Sequence, residues 1–265
     1  MKLEDKVAVV TGGGRGIGRA ICLAYAREGA DLVVASNVSG ENEAVADEIG
    51  SLGRKALAFT LDVCETGQVQ AMAEAVLAAF GRVDILVSNA GIQRRALLPF
   101  SDEAEWKRVI EVNIYGAYHC CKAFMPGMIE RNSGRVIIMS SVSGKMANPA
   151  NSSYAVAKHG LIGLARSLAA EVARLGAREV TVNAICPGIV NTDIMTGPDG
   201  NIAMLSQMLG LSREEVWDQI YRPIILQERM LDPEEIAAMA VYLASQDARG
   251  ITGQAVNVCG GMIMH

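Results

Sequence analysis

The feature that most constrains the fold is a regular alternation of short β-branched runs with longer Ala-rich segments of helical period. In GQVQAMAEAVLAAFG, for example, the apolar side chains fall on one helical stripe, namely Val69, Met72, Ala73, Val76, Leu77 and Phe80. The β-branched runs are VAVV (7–10), LVVA (32–35), ALAFTLD (56–62), DILVSN (84–89), RVIIMSS (135–141), VTVNAIC (180–186) and AVNVCG (255–260). This order predicts an α/β fold with a doubly wound parallel sheet of about seven strands and helices on both faces.

The chain is long enough for one α/β domain, and nothing in it suggests a division. It has 265 residues, no linker rich in Pro, Gly or Ser, and no internal repeat. We therefore expect a single domain over residues 1–265. The alternation lapses over residues 191–230, where helix-like pieces follow the turn TGPDGN. So long an irregular stretch in a compact domain is usually functional, and we interpret it as a helical substrate lid.

Charge and composition exclude several functions. The formal net charge is −5 and no basic block is present, so we expect no nucleic-acid partner. Six scattered cysteines without CxxC spacing and three unclustered histidines favour reduced thiols and no metal site. No run of about 18 apolar residues occurs, and the N-terminus does not resemble a signal peptide. We expect a cytoplasmic protein without a membrane partner.

A glycine cluster follows the first predicted strand in VAVVTGGGRGIGRAI, residues 7–21. Glycine allows a sharp turn and a close backbone approach, and a helix N-terminus offers amide donors to a phosphate. Such a turn also serves as a plain strand-to-helix connection. Its position after the first strand of a βαβ pattern favours a dinucleotide site.

Tyr154 and Lys158 are four residues apart in NSSYAVAKHG, residues 151–160. This spacing makes them neighbours on one helix face, which also occurs on ordinary solvated helices. Other motifs in the chain favour a functional interpretation of this pair. These are TGxxxGxG (11–18), SNAG (88–91), Asn113 in EVNIYG, Ser141 in MSSVSG, and PGIVNT (187–192).

With these motifs in this order, the sequence resembles the short-chain dehydrogenase/reductase family along almost its entire length. The resemblance implies a Rossmann-type fold, an NAD(P) cofactor and hydride transfer between the nicotinamide and a secondary alcohol or ketone. It also implies a catalytic group of Asn113, Ser141, Tyr154 and Lys158. A free tyrosine has a pKa of about 10, and we expect Lys158 and the nicotinamide to favour the phenolate. Ser140 and Ser143 lie close to Ser141, and Asn113 could instead satisfy local backbone groups.

The resemblance further implies the cofactor-binding residues, which lie in the glycine turn and at the carboxyl ends of the strands. They are Gly12, Gly14, Arg15, Gly16, Ile17, Gly18, Ser36, Asn37, Asp62, Val63, Asn89, Ala90, Gly91, Tyr154, Lys158, Pro187, Gly188, Val190 and Thr192. Two positions keep a structural alternative: Asp62 could cap the next helix, and SNAG could be a strand-ending turn.

The form of the cofactor depends on the end of the second strand, where an acidic side chain would favour NAD. Ser36 and Asn37 stand there instead, while Glu41 and Glu43 come later in the chain. Arg15 could bind a 2′-phosphate, although it could also be a solvated loop residue. We expect NADP(H) to be preferred, with NAD(H) possible.

The substrate is less constrained. GIQRRALLPF (91–100) resembles the loop of gluconate and related sugar-acid or polyol dehydrogenases, whereas TGGGRGIGRA and the terminal GGMIMH resemble 3-oxoacyl-carrier-protein reductases. We place a small polyol, sugar or hydroxy acid first, a 3-oxoacyl thioester second, and a catalytically silent NAD(P)-binding protein third. Candidate substrate residues are Gln93, Arg94, Arg95 and Ser143, although arginine pairs are often merely solvated.

The family resemblance also implies a homotetramer or homodimer. The helical segments near 103–130 and 154–175 would then pack across a two-fold axis. Their apolar faces would equally suit the core of a monomer.

Overall fold

A computed structural model describes all residues, Met1–His265. Seven parallel strands form one sheet in the order β3-β2-β1-β4-β5-β6-β7. They are β1 Val7–Thr11, β2 Asp31–Ser36, β3 Ala56–Thr60, β4 Ile85–Ser88, β5 Gly134–Met139, β6 Val180–Pro187 and β7 Ala255–Val258. The predicted doubly wound α/β fold is confirmed.

The helices lie on both faces of this sheet and in one excursion near its end. They are α1 Gly16–Arg27, α2 Ser39–Ser51, α3 Thr66–Phe80, α4 Glu103–Ile110, α5 Gly116–Glu130, α6 Ser152–Arg174, α7 Asp193–Thr196, α8 Asn201–Leu209, α9 Arg213–Val216 and α10 Pro233–Ala244. None of them combines the length and apolarity that crossing a bilayer requires.

The central strands are apolar throughout because helices cover them on both faces. Every residue of β1, β4, β5 and β6 is buried. Successive side chains point to opposite faces, so Val9 packs with the core beneath α3, α5 and α6, whereas Ala8 and Val10 pack beneath α1 and α10. This explains why the strands appear in the sequence as continuous apolar runs and not as alternating ones.

The strand order reverses between β1 and β4, which pair directly with Ala8 opposite Ile85. The chain builds outward from β1 to β3 and then crosses back to β4 on the other side of β1. A crevice opens at the carboxyl ends of the strands where such a reversal occurs, and ligands of open α/β sheets bind there.

Helices α7 to α9 and a π-helical turn, Trp217–Tyr221, occupy the segment that the sequence predicts to be a helical lid. This segment has a small core of its own, formed by Met195, Ile202, Val216 and Tyr221. Its two ends are fastened together, because the amide of Leu231 donates to the Ile189 carbonyl at 2.8 Å and that of Asn191 to Leu231 at 2.9 Å. The segment therefore leaves and rejoins the domain at neighbouring points.

Candidate active site

The turn between β1 and α1 requires glycine. A Cβ on Gly18 would lie 1.9 Å from the Gly12 carbonyl oxygen, and Gly12 and Gly16 have φ angles of +63° and +53°. The helix begins after Arg15, whose side chain makes no capping hydrogen bond. The first amides of α1 are thus available to an anion, and the turn leaves room for a backbone approach. These residues fit the pyrophosphate of a dinucleotide.

The loop after β4 is bound to this glycine turn. The side-chain amide of Asn89 donates to the carbonyls of Thr11 at 3.0 Å and Gly12 at 3.1 Å. The Thr11 hydroxyl in return accepts from the backbone amides of Asn89 and Ala90. Asn89 therefore holds the two loops at the strand reversal in one arrangement, which a plain strand-ending turn would not require.

At the far end of the glycine turn, one expectation needs correction. The sequence separation of Glu41 from β2 suggests that it lies away from the nucleotide region, yet its Oε2 lies 3.3 Å from where a Cβ of Gly14 would stand. Glu41 lies 3.7 Å from the Arg15 guanidinium, and Asp193 lies 3.8 Å from it. The start of α2 folds back over the turn, so Arg15 shares its surroundings with two carboxylates.

Ser36 and Asn37, at the end of β2, lie beside this region. The Ser36 hydroxyl donates to the Asn42 side-chain oxygen at 2.6 Å, while Asn37 is exposed. Asn42 also donates to the carbonyls of Ser36 and Phe59. No carboxylate side chain ends β2, as the sequence indicates.

Asp62 and Val63 follow β3, which ends at Thr60, two residues before the predicted boundary of the strand at Asp62. The Asp62 carboxylate accepts from Arg108 at 2.6 Å and from the Cys64 amide at 2.9 Å. Asp62 does not cap α3, whose first residue is Thr66. Val63 is buried, and its side chain would lie 2.6 Å from a Cβ on Gly116.

Tyr154 and Lys158 lie on the first turns of α6, where the helix faces the carboxyl ends of β5 and β6. The Lys158 ammonium donates to the Met139 carbonyl at 2.9 Å and lies 5.2 Å from the centre of the Tyr154 ring. Lys158 is only 3% exposed, and burial lowers its pKa to about 8. At neutral pH it still carries a proton for most of the time.

Burial is the largest influence on the pKa of Tyr154. Desolvation raises it to about 12, and this outweighs the lowering by the Ser141 hydroxyl and by the positive field of Arg95. The expectation that Lys158 and the nicotinamide together favour the phenolate stays a prediction. Tyr154 is a neutral phenol at physiological pH, which is the form that donates a proton to a ketone oxygen.

Ser141 is distinguished from its serine neighbours by its hydrogen bonds. Its hydroxyl oxygen accepts from the Ser143 amide at 3.1 Å, which leaves its own proton available to a ligand. The Ser140 hydroxyl donates to the Lys158 carbonyl, and the Ser143 hydroxyl accepts from Asn148. Ser141 is the serine whose hydroxyl lies beside Tyr154, where it lowers the pKa of the phenol.

Asn113 lies in a π-helical turn, Glu111–Tyr115, between α4 and α5. Its amide nitrogen donates to the carbonyls of Ile92 at 2.8 Å and Val109 at 2.9 Å, so the backbone interpretation is correct for that atom. Its oxygen is buried without a partner. A Cβ on Gly91 would lie 2.6 Å from this oxygen and 3.4 Å from the Lys158 ammonium. The two polar groups thus face the same space, which Gly91 keeps open.

These groups border a cavity of about 500 Å³ at the carboxyl edge of the sheet. The predicted site residues that line it are Ile17, Asn89, Gly91, Gln93, Arg95, Ser141, Ser143, Tyr154, Lys158, Pro187, Gly188, Val190 and Thr192. The others lie behind or beside it, namely Gly12, Gly14, Arg15, Gly16, Gly18, Ser36, Asn37, Asp62, Val63, Ala90, Arg94 and Asn113. The segment 191–230 contributes mainly apolar side chains, including Ile194, Met195, Leu205, Met208, Leu209, Ile220 and Ile224.

The three candidate substrate residues after SNAG have different surroundings. Gln93 is buried, donating to Asn151 at 2.8 Å and accepting from Asn201 at 2.7 Å. Arg94 forms an ion pair with Glu105 at 2.7 Å and does not line the main cavity, so its assignment to the substrate stays a prediction. Arg95 lines the cavity.

Sequence reasoning missed several contributors. Met139 acts through its carbonyl, which no side-chain pattern reveals. Asn201 and Met262 reach the cavity from the lid and from the last turn of the chain. The one available signal was the Asn of TGPDGN, a polar residue at the start of a helical lid segment. No group of three or more His, Cys, Asp or Glu side chains is arranged to hold a metal ion.

Comparison with known proteins agrees with this geometry. A family model for short chain dehydrogenases matches residues 6–200. The 3-oxoacyl-[acyl-carrier-protein] reductase FabG of Escherichia coli (strain K12) is 36% identical over 266 positions, which cover 100% of both chains. The reductases of the same name from Thermotoga maritima and Staphylococcus aureus (strain N315) are 35% and 38% identical, with at least 98% of each chain covered.

Proposed function

The chain belongs to the short-chain dehydrogenase family, and we propose that it reduces the ketone of a 3-oxoacyl thioester with a nicotinamide nucleotide. Family membership makes it an oxidoreductase acting on secondary alcohols and ketones. The observation that carries the proposal is the convergence of Ser141, Tyr154 and Lys158 on one cavity with an apolar lid.

In this proposal the ketone oxygen binds between the hydroxyls of Ser141 and Tyr154. Ser141 donates a hydrogen bond that orients the carbonyl, while its oxygen accepts from the Ser143 amide. Tyr154 donates the proton that converts the oxygen to a hydroxyl. Its raised pKa keeps it protonated before the reaction, which suits reduction.

Lys158 and Asn113 restore that proton. The Lys158 ammonium lies beside the Tyr154 ring and faces the unpartnered oxygen of Asn113 across the space kept open by Gly91. A bridging water would satisfy this buried oxygen, as buried polar groups require. We propose that protons pass from solvent to Tyr154 through this water and Lys158.

The cofactor is NAD(P)(H), and NADP(H) is our preferred form. When bound, it supplies the hydride. The glycine turn would hold its pyrophosphate, Lys158 its nicotinamide ribose, and Thr192 its carboxamide. Arg15 is the cation available to a 2′-phosphate, whereas Glu41 opposes this by pairing with Arg15 at 3.7 Å. Ser36 and Asn37 add no acidic side chain that would reject the phosphate.

For the substrate, the comparisons reverse the order suggested by the sequence. The full-length relatives named above are 3-oxoacyl reductases, and the lid surface that faces Tyr154 is apolar, as an acyl chain requires. A polyol would leave many hydroxyl groups facing Met and Leu side chains. We therefore place a 3-oxoacyl thioester ahead of a polyol or sugar.

A panel assay tests this order. Purified protein is given NADPH with acetoacetyl-N-acetylcysteamine, and NADP⁺ with gluconate, sorbitol and 3-hydroxybutyrate. We expect kcat/KM for the thioester to exceed that for the polyols by about two orders of magnitude, the scale of about 3 kcal/mol of transition-state binding. Activity confined to polyols or sugar acids would reverse the order.

We also propose that the protein is a homo-oligomer. Tyr118 on α5 and Val156 on α6 are large side chains that stay exposed, as does Tyr115 in the π-helical turn. Burying such side chains between copies would stabilise the assembly. Light scattering at several concentrations tests this, with a mass above 28.1 kDa expected.

A further inference from the structure

Two cations reach the cavity without a carboxylate partner, Lys158 and Arg95, and of these only Arg95 has no role in the proposed reaction. Its Nε donates to the Asn201 side-chain oxygen at 3.0 Å and one terminal nitrogen to the Tyr221 hydroxyl at 3.2 Å. The other terminal nitrogen lies 3.5 Å from the Pro149 carbonyl. All three partners are neutral. None of the ion pairs of the structure involves Arg95.

The adjacent arginine provides the contrast. Arg94 has its charge neutralised by Glu105 on the outer side of the same loop. A partly buried guanidinium that has lost water and gained no counter-ion is costly, and such groups are usually paired. In addition to Lys158, the cavity thus retains the positive charge of Arg95, which no carboxylate neutralises, among largely apolar walls.

The neutral partners also fix the orientation of the guanidinium. Asn201 accepts from Arg95 and donates to Gln93, which in turn donates to Asn151, so the amide groups form one continuous chain. An arginine has five N–H donors. Three are directed at protein oxygens, which leaves two for a ligand in the cavity. A carboxylate takes two such donors and supplies the missing negative charge.

The positive charge of Arg95 also acts on Tyr154, the proposed proton donor. Its positive field lowers the pKa of both Tyr154 and Tyr221, against the larger opposing effect of burial. Arg95 and Tyr154 therefore act on the same part of the cavity. A molecule bound to both would have a carboxylate at one end and the reacting oxygen at the other.

We infer that Arg95 is a specificity-determining residue that binds a substrate carboxylate, so that the protein reduces free oxo acids in addition to neutral thioesters. This inference rests on the proposed reaction at Tyr154. The step is the same one: the ketone carbon gains a hydride from the reduced nicotinamide nucleotide and its oxygen gains a proton from Tyr154, giving a hydroxy acid.

The test uses a matched pair of ligands, acetoacetate and its neutral methyl ester. Their dissociation constants are measured by nicotinamide fluorescence on the full chain with NADPH, in a Tyr154→Phe background where no turnover occurs. Arg95→Met is compared with Arg94→Met, the control whose charge is paired outside the cavity. Arg95→Lys retains the charge without the bidentate geometry.

We expect Arg95→Met to weaken acetoacetate binding about 10- to 100-fold, as the loss of a charged hydrogen-bonded pair does, and to leave the ester within about threefold. Arg95→Lys should restore part of the difference, and Arg94→Met should change neither ligand. Equal weakening of both ligands, or no preference for the acid in the parent protein, would overturn the inference. The proposed reaction fails on a separate result, namely turnover that survives Tyr154→Phe.

Discussion

Lys158 holds its ammonium 5.2 Å from the centre of the Tyr154 ring while donating to the Met139 carbonyl at 2.9 Å. No carboxylate pairs with it, and it is almost completely buried. The protein therefore maintains a poorly solvated positive charge beside a phenol. Burial lowers the pKa of Lys158 to about 8, so this arrangement is a cost to folding that the proposed chemistry explains.

That cost predicts that Lys158→Met stabilises the fold while it removes activity. The lowering of the pKa from 10.5 to about 8 corresponds to about 3 kcal/mol, and about 1 kcal/mol is lost with the hydrogen bond to Met139. We expect a net gain of about 1–2 kcal/mol at pH 7, measured by urea denaturation. A destabilised variant would contradict the account of Lys158 as a buried, poorly compensated charge.

The stability gained by Lys158→Met should depend on pH. A lysine whose folded pKa is lowered destabilises the fold fully below the folded value, and the penalty disappears as pH rises to the unfolded value. The stability difference between Lys158→Met and the parent should therefore be constant below about pH 8 and shrink as the pH rises towards 10.5. Denaturation at pH 6.5, 8 and 9.5 checks this. A stability difference that grows with pH would contradict this prediction.

A second pH effect concerns cofactor capture. Lys158 donates hydrogen bonds to the ribose in our proposal, and it carries three N–H donors only while protonated. The pH profile of kcat/KM for NADPH reports groups of the free enzyme and should fall above about pH 8. In Lys158→Arg, the decrease in kcat/KM should shift to a pH above the measurable range, because arginine stays protonated. A parent profile that stays flat to pH 9.5 would refute the assignment.

Gly91 should be essential for a reason that can be separated from folding. A Cβ there would lie 2.6 Å from the Asn113 oxygen and 3.4 Å from the Lys158 ammonium. Gly91→Ala should reduce kcat about 10- to 100-fold by displacing the proton path, while the cofactor dissociation constant changes little. The matched control is Gly50→Ala, an exposed site on α2 with nothing within 4 Å of the added methyl. This control should stabilise the protein by about 0.5–1 kcal/mol at full activity.

Glu41 should weaken the preference for NADP(H). It pairs with Arg15 at 3.7 Å beside the glycine turn and would repel a 2′-phosphate. Glu41→Gln should raise the ratio of kcat/KM for NADPH over NADH by about 3- to 10-fold, and Arg15→Ala should lower it. The control is Glu43→Gln, a second glutamate on α2. An unchanged ratio in Glu41→Gln would show that this carboxylate does not influence the choice of cofactor.

The fold could be predicted because local patterns determine it. Continuous apolar strands and striped helices appear directly in the sequence, and six ordered motifs place the cofactor turn and the Tyr154 region. Long-range geometry could not be predicted. The fold of α2 over the glycine turn brings Glu41 to Arg15, and the fold of the segment 191–230 brings Asn201 and Tyr221 to Arg95. Spacing along the chain contains no information on either approach.

The pKa of Tyr154 is a second property that the sequence alone could not predict. The sequence reveals that a lysine lies one helical turn away, and this alone predicts a lowered pKa. The structure adds desolvation, which acts in the opposite direction and is larger. Burial depends on the lid and on the neighbouring strands, so the balance of the two effects emerges only from the folded chain.

The most direct test of the account is Tyr154→Phe, a change that removes one hydroxyl and leaves the ring over Lys158. We predict a loss of at least about 10³-fold in kcat for acetoacetyl thioester reduction, the scale of general acid catalysis, with an unchanged NADPH dissociation constant. Ser141→Ala serves as the comparison and should lose less, since it orients the carbonyl without supplying the proton. Turnover within about tenfold of the parent would contradict the role of Tyr154 as proton donor.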